Sequence, residues 1–133
     1  MSNTPDPERV EYAFGPFYLH LMPGWSGSFE DGVHTLESQD IETAIQISGF
    51  ERDQPVEMSD LYGLVPEGAQ GVSRFSLLSG LDGFGWTDPE SGDEHRVIRS
   101  DSVILAVRIL YADDPSDLDR QAVDDMIGAL ARS

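Results

Sequence analysis

Apolar residues along this chain recur mostly at alternate positions, the period of extended strands. The stretch "IETAIQISGF" shows it most cleanly: Ile41, Thr43, Ile45 and Ile47 fall on one side, and Glu42, Ala44, Gln46 and Ser48 on the other. It reads as a strand with one buried and one largely polar face. In "FYLHLM", Phe17, Leu19 and Leu21 alternate with Tyr18, His20 and Met22, so that strand carries bulk on both sides until "PGW" at 23–25 breaks it. "GSFEDGVHTLES" places Asp31-Gly32 between two short extended runs. Asp-Gly suits a two-residue type I′ turn, where both central residues need positive φ, and that register sets Phe29 opposite His34 with Leu36 beside them. Further strands are predicted at about 72–79, 83–87 and 94–99, the last two joined by a turn at "DPESGD". In "SVILAVRIL" both faces are apolar: Val103, Leu105, Val107 and Ile109 on one, Ile104, Ala106 and Leu110 on the other. That pattern predicts a central strand buried on two sides.

The period changes twice. Met58, Leu61, Tyr62 and Val65 stand at helical spacing and predict a short helix ending before Pro66. The C-terminal run carries an apolar stripe of Leu118, Ala122, Val123, Met126, Ile127 and Leu130. Asp114 is expected as its N-cap, Pro115 at the first helical position, and Asp117 as a complement to the helix dipole. The fold class expected is α+β: a mostly antiparallel sheet of about six to seven strands, a short middle helix and a long C-terminal helix. Residues 1–13, polar and bearing Pro5 and Pro7, read as a loose lead-in, and 14–133 as a single domain.

Charge narrows the function classes. Twenty-five acidic residues oppose eight basic ones, all arginine, for a formal net charge of −17. Such a surface repels nucleic acid and anionic lipid, and favours solubility or a basic protein partner. Acidity without lysine also suits adaptation to high salt. There is no cysteine, which excludes disulfides, thiolate metal sites and cysteine nucleophiles. No run approaches the ~18 apolar residues of a membrane helix, and "MSNTPDPERVEY" lacks a secretory signal pattern, so a cytoplasmic location is expected.

Three strings carry a family resemblance: "FYLHLMPGW", "AIQISGF", and "SVILAVRILYADD" feeding a helix that ends "MIGAL". From about Phe14 onward the chain resembles the PsbP-like superfamily, which includes the extrinsic photosystem II subunit, DcrB-type bacterial proteins and a Ran-binding transport factor. The resemblance implies an α/β/α sandwich around an antiparallel sheet, used mainly to bind other proteins. It rests on core and turn positions and brings no catalytic motif.

The candidate chemistry is sparse. His20, His34 and His95 stand in no H-x-x-x-H pattern. No G-x-S-x-G elbow occurs; "GWSGS" comes closest. The stretch "GLDGFGWTDPESGDEH" reverses the glycine order of dinucleotide loops and leads into a strand, and its acidic turn contains Pro89 without the twelfth-position glutamate of a calcium loop. No cofactor or metal is therefore expected. Phe84 and Trp86 point to one side of their strand, as core residues or as an aromatic patch rimmed by Asp88, Glu90, Asp93 and Glu94. The patch has the composition of a protein-binding hot spot. These features lead to the expectation of a small acidic, non-catalytic cytosolic protein that binds a protein partner. Two alternatives are an immunity protein neutralising a basic toxin, and an enzyme with a pocket near His20 or His34 and a buried carboxylate.

Overall fold

A computed structural model describes residues 10–38, 41–111 and 115–132. Strands β3 (Trp25–Glu30), β4 (Val33–Ser38), β5 (Thr43–Glu51), β9 (Val103–Leu110), β8 (Glu94–Ser100), β7 (Asp82–Thr87) and β6 (Gln70–Ser76) form one seven-stranded sheet in that spatial order. Every neighbouring pair is antiparallel. β1 (Val10–Phe14), β2 (Phe17–Leu21) and β10 (Ala131–Arg132) make a separate three-stranded sheet. This sheet and helix α2 (Asp117–Gly128) cover one face of the large sheet, while helix α1 (Met58–Tyr62) covers part of the other.

The predicted alternation places the main core. Thr43, Ile45 and Ile47 of β5 are buried, and Leu36, Leu105, Val107 and Ile109 of the neighbouring strands join them. Phe14, Phe17, Leu19 and Leu21 descend from the small sheet, and Val123, Met126, Ile127 and Leu130 from α2 and the turn after it. The type I′ turn forms as predicted, with φ of 52° at Asp31 and 80° at Gly32 and with Phe29 paired to His34.

Several boundaries move. The lead-in gives way to β1 at Val10, which pairs along the whole of β2; residues 1–9 lie outside the described part. α2 is capped by Ser116, whose Oγ accepts from the Asp119 amide at 3.1 Å while the Asp119 carboxylate accepts from the Ser116 amide at 3.2 Å. This reciprocal box satisfies two donors at once, so Pro115 precedes the cap; Asp114 lies outside the described residues. Leu118 stands in the first turn, short of the packed stripe, and is 82% exposed. α1 stops at Tyr62, a turn earlier than its apolar spacing predicts. Two-sided burial in β9 holds at Ile104 and Leu105 but lapses at Arg108, which is exposed.

His34 sits where β1 crosses the β3–β4 hairpin. Its Nδ1 is hydrogen-bonded to the Tyr12 hydroxyl at 2.8 Å, with the rings of Phe14 and Phe29 within 5.5 Å and 4.5 Å of its own. Burial holds its pKa below the usual 6.5. The unfolded chain therefore binds a proton that the folded chain refuses, and stability present above pH 6.5 falls as the solution is acidified through the folded pKa. Denaturant titrations from pH 7 to pH 5 are expected to show this loss in the wild type and a flatter profile in His34→Gln; equal slopes would contradict it.

Candidate functional site: an apolar groove on the partly covered face

The segment after β5 crosses over the sheet and carries α1 back onto it. Two strand-edge bonds anchor it: the Arg52 amide donates to the Ser102 carbonyl at 2.8 Å, and the Val56 amide to the Asp101 carbonyl at 2.7 Å. Arg99 adds a third, donating to the Val56 carbonyl at 3.2 Å while its Nε and Nη2 grip Asp82 at 2.8 Å and 3.2 Å. Hydrogen bonds from Arg99, with a second arginine at Arg74, hold the Asp82 carboxyl below the usual carboxylate range. The Glu57 amide donates to the Asp60 carboxylate at 2.9 Å and starts the helix. Leu61 is fully buried beneath it, in a second cluster with Val56, Trp86, Val97 and Ile104.

α1 is too short to cover this face. Beside it lies an apolar groove of about 480 Å3, within the size range of ligand sites. Val97, Ile104 and Ala106 supply side chains to its floor, Trp86 and His95 line one wall, and Phe50, Leu64 and Arg52 form the mouth. Val107 and Arg96 contribute backbone, since the Val107 side chain lies in the main core and that of Arg96 pairs with Asp124 of α2. The Trp86 and His95 rings stack at 5.5 Å and 11°. Phe50 and Leu64 remain 56% and 49% exposed, and Tyr62, edge-on to Phe84, 61%. Large apolar side chains standing in water around a concave apolar floor are the composition of a docking surface.

The aromatic patch with an acidic rim does not form as the sequence suggests. Trp86 is only 8% exposed, packed under the α1 segment, and Phe84 is half-buried against it. Three of the four carboxylates are spent locally. Asp88 accepts from the Glu90 amide at 2.8 Å and from that of Ser91 at 3.4 Å, shaping the β7–β8 turn, and the first of these bonds leads in holding its carboxyl below the usual range. Asp93 is buried and accepts from Arg108 Nε and Nη2 at 3.0 Å and 2.6 Å. Glu94 faces α2 and accepts from Arg120 at 3.1 Å. Glu90 alone of the four is exposed without a side-chain bond among the described residues. Trp86 thus reaches the groove as part of its wall, and the rest of the predicted patch does not gather there.

His20 is exposed on β2 beside Tyr18. His34 lines a cavity of about 300 Å3 with Phe14, Phe17, Phe29 and Gly49, where the one carboxylate among the described residues, Glu51, is exposed. A phenol, not a buried carboxylate, is the hydrogen-bond partner of that imidazole. Sequence reasoning missed Phe50, Leu64 and Arg52. The break after the strict alternation of β5 was their one visible signal, since Phe50 continues the polar-face parity of Gln46 and Ser48 with an aromatic ring.

A scan against protein-family models finds no match, and a search of curated proteins finds no significant one. Among solved structures, the chain is similar to the solution structure of cyanobacterial PsbP (CyanoP) from Synechocystis sp. PCC 6803, at a TM-score of 0.65 and 13% identity, over 100% of this chain and 97% of that one. With its antiparallel seven-stranded sheet, short helix and C-terminal helix, the chain has the PsbP-like fold.

Proposed function

We propose that this chain is a non-catalytic accessory protein that binds a protein partner in the cytoplasm, through the groove beside α1. The observation that carries the reading is the pairing of a concave apolar floor with two exposed apolar side chains, Phe50 and Leu64, at its edge. A small ligand within the groove would leave the outward faces of those side chains in water, whereas a protein surface covers floor and rim together. The net charge of −17 keeps the free protein soluble despite the exposed apolar rim. Among the described residues no helix is long and apolar enough to cross a membrane.

Affinity capture from the native lysate at physiological salt tests it, comparing the wild type with a Phe50→Asp, Leu64→Asp variant. A protein retained by the wild type and lost by the variant is the expected result. Equal retention by both, or no protein specific to the wild type, would sink the reading.

A further inference from the structure

The charges around the groove run against those of the protein as a whole. Among the described residues its lining includes Arg52 and His95 and no carboxylate, in a chain with twenty-five acidic residues. Arg52 is also the least committed cation described. Arg74, Arg96, Arg99, Arg108, Arg120 and Arg132 each donate at least one side-chain hydrogen bond. Arg52 has a single loose contact, 3.8 Å to Asp60, and that carboxylate already accepts the Glu57 amide that caps α1. A guanidinium with an open fork at the mouth of an apolar trough is matched by a carboxylate attached to an apolar body.

We infer that the partner segment seated in this groove is acidic and apolar: a large apolar side chain lies over Val97, Ile104 and Ala106, and an Asp, Glu or C-terminal carboxylate pairs with Arg52. The inference rests on the groove being the docking surface, and it reverses the expectation from net charge that the bound segment is basic. A protein segment is the source because Phe50 and Leu64, at the lip of the groove, are 56% and 49% exposed, and a free amphiphile held within the groove would leave their outward faces in water. The long-range field of the protein repels an anion, but at contact the paired hydrogen bonds of one guanidinium act over a few ångströms, inside the roughly 8 Å screening length at physiological salt.

Calorimetric titration with octanoate, octanol and octyltrimethylammonium, each below its micelle concentration, reads the preference directly. Octanoate is expected to bind tightest and octyltrimethylammonium weakest. Arg52→Gln should weaken octanoate roughly tenfold, the order of a charged hydrogen bond, and leave octanol unchanged. Equal affinities for all three overturn the charge preference while the groove survives as an apolar site. Tightest binding of the cation overturns it in favour of a basic segment. No binding by any probe also overturns it, because a trough that accepts an apolar side chain accepts an octyl chain. The docking reading itself fails separately, if the Phe50→Asp, Leu64→Asp variant retains the captured partner. A native mass spectrum of the purified protein carrying one equivalent of fatty acid would replace the protein segment by a free amphiphile.

Discussion

Gly83→Ala is expected to cost about 3 kcal/mol or more, or to prevent folding, although it adds a single methyl group. A Cβ at position 83 would lie 1.9 Å from the Val97 carbonyl oxygen and 3.0 Å from the Ile98 Cα, both backbone of the paired strand β8. No rotamer change can relieve a clash with backbone, so β7 and β8 would have to separate where Arg99 and Asp82 join them to the α1 segment. Gly85, two residues on, is the control: its added Cβ would meet the His95 carbonyl at 3.4 Å and the movable Arg96 Cγ at 3.5 Å. Gly85→Ala is expected to change stability by under about 1 kcal/mol, the usual scale for a tolerated glycine replacement. Denaturant midpoints of the two variants, measured side by side, decide the matter. Equal losses would mean that the close approach of β7 to β8 does not govern this hairpin.

Leu61→Ala should have the second largest effect, about 3 kcal/mol, within the range for emptying a fully buried leucine site. A five-residue helix has no stability of its own. α1 persists because Leu61 fills the space over Val97 and Ile104, helped by half-buried Met58 and Val65. Its release also carries Leu64 away from the groove mouth, so octanol binding should fall along with the melting temperature. Phe50→Ala separates the two effects: Phe50 is mostly exposed, so its loss should leave stability within about 0.5 kcal/mol while weakening the groove. A Leu61→Ala protein that melts normally would show that α1 is held by its backbone anchors instead.

Both predictions concern features the sequence shows only in outline. The glycines of "GLDGFG" announce a strand where backbones approach or a bulge forms, but do not say which glycine is essential. The approach is at Gly83, and the bulge is elsewhere, between Gln70 and Ser73 of β6. Likewise, the parity of Phe84 and Trp86 places them on one face, yet whether that face is open depends on what crosses it. The crossing segment is "RDQPVEMSDLYGLVPEG", whose path follows from bonds to Ser102 and Asp101, some fifty residues away in the chain.

What the sequence by itself determined is what depends on short-range periodicity and turn chemistry. The order of strands and helices from β2 to α2, the buried face of β5, the Asp31-Gly32 turn and the positions of Val123, Met126 and Ile127 all follow from neighbours within a few residues. Tertiary structure alone decided the separate small sheet, because two residues at Ala131–Arg132 are too few to carry a period, and β1 shows its strand character only in pairing with β2. It also decided the fate of the charges. In a chain this acidic, composition suggests an acidic docking rim, but Asp88 and Asp93 are taken up by a turn amide and an arginine while Arg52 is left at the groove. Local pattern sets which face a side chain takes; which groups meet across a face is set by long-range pairing, and no window of sequence contains it.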